Sequence, residues 1–260
     1  MSATGSDTPT RYEIDGLAIH DQAGDGSEPL VVIVHGGMDR SSSFGRVVRL
    51  MPEVPIRRYD RRGYGGSGAG DAVSLERHVQ DLLTVIGDRC AVVFGHSIGG
   101  TIALATAAHR PDRICSLGLF ESPSPWWDGS RNPMRERLAS LDPGDAAERF
   151  MIRMAGERVW RRLPARTREA RRSEGPALLA DMAIAAEAAA IDPAMIRMPV
   201  IIGFGERSSE PRHEEAEHLA SVLPESELHQ IDGATHGVHL GDPPATADFI
   251  KATRRRCARA

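Results

Sequence analysis

Apolar and polar positions along this 260-residue chain follow two rhythms. Short apolar runs occur at Leu30–Val34 and 91–94, with further candidate strands at Ile56–Tyr59, Ile114–Phe120 and 200–204. Such runs suit strands buried on both faces. Helical patterns lie between them. Ser74 can cap a helix ending near Ile86, and an Ala-rich stretch after Ser97 runs to His109 and Pro111. Helices are also expected at 44–51, 214–223 and 243–256, and a strand at 227–231. Residues 12–20 alternate around Asp15-Gly16, a two-residue hairpin signal. Residues 1–10 read as a disordered tail.

Strands alternating with helices imply an α/β fold: a mostly parallel central sheet with helices on both faces. The alternation stops after Glu121. Residues 122–198 open with a Pro-rich stretch and then show helical segments without a clear strand. They are expected to form an inserted helical lid over the C-terminal edge of the sheet, where open α/β sheets place their sites. The core would then comprise 1–121 and 199–260.

Composition narrows the function. The formal net charge of −4 gives no sign of nucleic-acid binding. Lys251 is the sole lysine, a bias towards arginine that lowers the weight of any arginine cluster. Arg158, Arg162 and Arg166, four residues apart, are accordingly expected on one solvated helical face. No run of about 18 apolar residues occurs, so no membrane span is expected. The polar residues 1–9 do not resemble a signal peptide, and a cytoplasmic location follows as the expectation. Cys90, Cys115 and Cys257 are odd in number and lack metal-site spacing, so reduced thiols are expected.

The chemistry lies in Gly95-His96-Ser97-Ile98-Gly99, a G-x-S-x-G sequence between a candidate strand and a candidate helix. That context makes Ser97 a candidate nucleophile held above the sheet by a sharp turn. His35-Gly36-Gly37 follows the first buried strand, and Asp60-Arg61-Arg62-Gly63-Tyr64-Gly65-Gly66-Ser67 follows the next. In order and spacing these three motifs resemble the α/β-hydrolase family over nearly all of residues 12–256. The resemblance implies an oxyanion hole with the Ile98 N–H as one donor and Gly37 or Met38 as the second. It gives His35 and the Asp60 turn structural roles.

A serine hydroxyl needs a base. His236, in the loop after the last candidate strand, opens at the same sheet edge as Ser97, and the family's base sits at the matching place. His239 is the nearest rival. The His96 side chain is expected to point away from the site, and His78, His109, His213 and His218 to be solvated on helices.

The acid departs from the family pattern. In Gly205-Glu206-Arg207-Ser208, serine stands where most members carry aspartate. Glu121 ends the strand after the nucleophile helix, and its carboxylate should reach the same edge; the Glu-Ser-Pro sequence resembles a subgroup with Glu-Pro-Pro here. Glu206, Glu210 or no effective acid are the alternatives.

These residues imply hydrolysis of a small carboxylic ester, lactone or thioester through an acyl-serine, with a small-molecule substrate and no metal or organic cofactor. C–C bond hydrolysis, cofactor-free perhydrolysis and a receptor-like member with a vestigial site are the alternatives. Trp126 and Trp127 either line an apolar substrate pocket or pack the lid onto the core. Met134, Phe150, Met151 and Met154 could extend that wall or join the core.

Overall fold

The computed structural model describes residues 10–68, 73–127 and 137–257. Eight strands form one sheet in the order β1-β2-β4-β3-β5-β6-β7-β8. β1 (Thr10–Ile14) and β2 (Leu17–Gln22) pair antiparallel through the expected Asp15-Gly16 turn, both residues at positive φ. Thr10 thus opens a strand rather than closing a tail; residues 1–9 lie outside the described residues. β2 joins β4 (Ile56–Tyr59) antiparallel. β3 (Leu30–Val34), β5 (Ala91–His96), β6 (Ile114–Phe120), β7 (Val200–Gly205) and β8 (Ser226–Ile231) continue in parallel. β3, β5 and β7 are buried along their whole length, which is why they read as largely apolar.

On one side of the sheet lie α2 (Leu75–Ile86), α3 (Ile98–His109) and α8 (Glu210–Val222); on the other lie α1 (Gly45–Val48), the single-turn α9 (Val238–Gly241) and α10 (Pro243–Cys257). Ser74 caps α2 by accepting the Arg77 N–H. The amphipathic stretch expected at 44–51 is instead a 3₁₀ turn, Ser41–Phe44, followed by the single-turn α1. Phe44, Val47, Val48 and Met51 still face the core, so the pattern reported burial correctly and helix length wrongly.

Between β6 and β7 the described residues hold α4 (Pro143–Ala155), α5 (Glu157–Arg162), α6 (Ala165–Arg172) and α7 (Gly175–Ala188), and no strand. Leu163-Pro164 separates α5 from α6, because proline cannot continue a helix without losing a hydrogen bond. Arg158 and Arg162 therefore do not share a helix with Arg166, although all three are exposed. Met134 lies outside the described residues. Phe150 and Met151 pack against Met38, Tyr64, Ala147, Ala177 and Leu178, while Met154 is exposed.

Two further expectations fail. Cys115 in β6 and Cys257 at the end of α10 form a disulfide, with Cα atoms 5.1 Å apart. Nothing in the sequence brings residues 142 positions apart together. Cys90 is the free, exposed thiol. His78 is buried rather than solvated: α2 turns it towards Arg61 and Asp181, and burial lowers its pKa to about 3. Among the described residues no helix is long and apolar enough to cross a membrane.

Candidate active site

Ser97 sits between β5 and α3 with φ 54° and ψ −132°, a conformation that costs a non-glycine residue about 1–3 kcal/mol. Glycine makes the turn possible. A Cβ at Gly95 would lie 2.4 Å from the Gly100 Cα, and one at Gly99 would lie 2.4 Å from the Val34 carbonyl oxygen. The turn leaves Ser97 partly exposed among buried neighbours, at the N-terminus of α3.

Glu121 follows β6, also at positive φ (44°), with its carboxylate buried. Its Oε2 lies 2.8 Å from His236 Nδ1. Its Oε1 accepts the Gly205 N–H at 3.0 Å and the Ser208 hydroxyl. Arg212 Nε stands 3.3 Å from Oε2. Burial alone would raise the Glu121 pKa, but hydrogen bonds from His236, Ser208 and Gly205 outweigh it and hold the group ionised. Burial also lowers the His236 pKa, against the raising effect of Glu121. With Nδ1–H donated to the carboxylate, the His236 Nε2 lone pair is left for other work.

The rival acids are elsewhere. Glu206 is exposed and accepts the Gly233 N–H, and Glu210 is exposed, 4.0 Å from His213. Ser208 occupies the turn where an aspartate was expected, yet still reaches the site by donating to Glu121. His239 stacks on Phe44 at 4.4 Å between ring centroids and faces Asp39. His96 does not point away: its ring lies 4.7 Å from that of His236, and its Nε2 is 2.8 Å from the His236 carbonyl oxygen. His109 is exposed as expected; His213 and His218 are half-buried, with His213 Nε2 2.9 Å from the Gly205 carbonyl and His218 Nδ1 2.9 Å from the Ser124 hydroxyl.

On the other side of Ser97, the loop of Gly36, Gly37 and Met38 is held by residues the sequence did not single out. Arg61 is fully buried and donates to the carbonyls of His35 (3.0 Å) and Gly36 (3.2 Å). Its guanidinium makes a two-pronged ion pair with Asp181 of α7, at 2.9 and 2.7 Å. Tyr64 donates to the same carboxylate at 2.7 Å. The absence of a side chain at Gly37 lets Asp181 in, since a Cβ there would lie 3.2 Å from Oδ2. The Met38 carbonyl accepts from Arg171 at 3.2 Å. His35 accepts the Arg61 N–H, and Asp60 accepts the Ser41 and Gly66 N–H groups, so both act in the turns.

Trp126 donates its indole N–H to the Ile191 carbonyl at 2.8 Å and packs against the main core cluster. Trp127 is partly buried beside it. Glu215 of α8 accepts the Ser124 N–H at 3.1 Å, and burial raises its pKa to about 7.

Comparison with known proteins agrees with this architecture. The Alpha/beta hydrolase family matches residues 31–249. The lipase LipV of Mycobacterium tuberculosis is 36% identical over 45% of the chain and 47% of its own length, so the chain spans about half of that relative. A pimeloyl-[acyl-carrier protein] methyl ester esterase from Chromobacterium violaceum is 30% identical over 87% of the chain and 93% of its own length. A thermophilic esterase from Thermogutta terrifontis superposes with a TM-score of 0.71 at 24% identity, covering 93% of each chain, a likeness of fold.

Proposed function

The chain belongs to the alpha/beta hydrolase family, and we propose that it is a serine hydrolase acting on a small carboxylic ester, lactone or thioester. The observation that carries this reading is the 2.8 Å contact between Glu121 and His236 beside the Ser97 turn. Lipases and esterases among its relatives support it at the level of reaction class.

In the proposed reaction His236 Nε2 takes the Ser97 proton as Oγ attacks the acyl carbon. Glu121 holds the ring by its Nδ1–H and stabilises the imidazolium. The N–H groups of Ile98 and of either Gly37 or Met38 receive the developing oxyanion. The tetrahedral intermediate collapses as His236 returns its proton to the leaving alcohol. Water, deprotonated by the same histidine, then releases the acid and restores Ser97. None of these steps calls for a metal or organic cofactor. The helices between β6 and β7 serve as the lid, with Trp126 in a packing role.

Ser97→Ala is expected to lower kcat on p-nitrophenyl acetate by several orders of magnitude with an unchanged circular dichroism spectrum. It should also abolish labelling by a fluorophosphonate. Turnover undiminished in the purified variant would falsify the assignment. C–C bond hydrolysis of a diketone would use the same residues, and a panel of both substrate types separates the two.

A further inference from the structure

Asp39, His96 and His239 come together from the three segments that carry the candidate site residues. Asp39 follows the Gly36–Met38 turn, His96 precedes Ser97, and His239 lies three residues beyond His236. One ligand atom of each lies within 4.8 Å of the others, and His239 Nε2 is 3.2 Å from Asp39 Oδ2. His96 and His239 are 5% and 3% exposed. Asp39 Oδ2, His96 Nδ1 and both ring nitrogens of His239 are buried without a hydrogen-bond partner. Asp39 Oδ2 and His239 Nε2 at least face one another as an ion pair, so the buried atoms left with nothing opposite them are His96 Nδ1 and His239 Nδ1, and buried polar atoms normally find a partner.

The tautomer of His96 indicates its kind. Nε2 faces the His236 carbonyl at 2.8 Å and so carries the proton, which leaves a lone pair on Nδ1. That lone pair points at no donor. An imidazole whose one nitrogen donates to a backbone carbonyl while the other is free is the arrangement of a metal-bound histidine. His239 adds a second imidazole and Asp39 a negative charge.

We propose that Asp39, His96 and His239 bind one divalent transition-metal cation of the zinc class. Two imidazole nitrogens and one carboxylate oxygen suit that class; calcium and magnesium want more oxygens. Bonds of about 2.0–2.2 Å around a tetrahedral ion set ligand atoms about 3.3–3.5 Å apart, so the His239–Asp39 pair is already close and a pair at the 4.8 Å limit must draw in by about 1.3–1.5 Å. The cation ties together the oxyanion loop, the Ser97 turn and the His236 loop without touching the acyl group. The proposal rests on side-chain placement and stands or falls independently of the ester-hydrolase reading.

The test uses the full chain carrying Cys90→Ser, which removes the exposed thiol as a competing ligand. After chelator treatment and buffer exchange it is titrated with Co²⁺. The expected result is one equivalent bound, with intense visible d–d absorption that Zn²⁺ bleaches by displacement. Zinc at a hundred times its dissociation constant should raise the melting temperature by about 5 °C. Asp39→Asn and His239→Gln, each checked by circular dichroism, should weaken Co²⁺ binding at least tenfold, while His109→Gln at an exposed position should not. Less than a tenth of an equivalent retained by the parent, the weak pink spectrum of hexaaqua cobalt, or unchanged affinity in Asp39→Asn would each overturn the site.

Discussion

Among the described residues, the carboxylate that meets His236 on one side of Ser97 is held by groups from β7, the turn after it and α8; on the other side, the Gly36–Met38 loop is tied through Arg61 and Arg171 to the helices between β6 and β7. Glu121 follows β6 and His236 follows β8, with β7 between them, and the groups that fix Glu121 come from Gly205, Ser208 and Arg212. The Gly36–Met38 loop instead hangs from Arg61, which is neutralised by Asp181 of α7, and from Arg171 of α6. The difference teaches that the base side should tolerate change in the lid, whereas the oxyanion side should register it. A lid helix that moves takes the counter-charge of a buried arginine with it.

The largest expected effect falls on the base side. Glu121→Gln should lower kcat by about 10³–10⁴-fold with little change in KM or melting temperature, because the amide is nearly isosteric but cannot stabilise the imidazolium. Adding Ser208→Asp should recover part of the rate, since Ser208 already reaches Glu121 from the turn. Steady-state kinetics of both variants check this. A near-native kcat for Glu121→Gln would remove the base side from the comparison altogether.

Asp181→Asn is the matching cut on the other side. It leaves Arg61 buried beside a neutral partner, and breaking such a pair costs about 3–5 kcal/mol. Denaturant unfolding should show that loss. In whatever fraction remains folded, kcat should fall by about 10–100-fold, less than a whole oxyanion donor is worth. A variant with intact stability and full kcat would show that the lid does not support the loop.

The smallest effect concerns Glu215, which joins the start of the inserted block to α8. Its pKa in the folded chain, about 7, lies above the ordinary 4.5. Folding therefore takes up a proton between these values: the stability it gives is full below 4.5 and is lost as pH rises through 7. Glu215→Gln should melt above the parent at pH 8, by the equivalent of about 1–3 kcal/mol, and the gap should close at pH 4.5. Equal melting temperatures at pH 8 would remove Glu215 as a pH-dependent tie.

The strands that set the sheet were legible because burial on both faces leaves continuous apolar runs, and the Ser97 turn because its glycines serve steric needs confined to a few residues. Glu121 could be reached from the end of a strand, once Ser208 was seen to stand in the usual place of an aspartate. The Arg61–Asp181 pair could not: 120 residues separate its members, and in an arginine-rich chain no single arginine stands out. His78 misled for a related reason, since a histidine on an amphipathic helix looks solvated until the buried charges facing it are known. The Arg158, Arg162 and Arg166 series shows a spacing rule overridden by a proline lying within it. Trp126 shows a polar tip spoken for by a carbonyl 65 positions away, which residue type alone does not reveal.

The bond between Cys115 and Cys257 closes a covalent circuit around the second half of the chain. The whole block between β6 and β7 lies inside it, as does His236, while Ser97 lies outside. A protease that cuts once anywhere in that block would leave two fragments, one carrying the serine and the other the histidine. They would remain a single molecule, migrating as the intact chain on a denaturing gel until a reductant separates them. Nicked protein would thus keep both halves of its chemistry tethered through β6 and the closing helix.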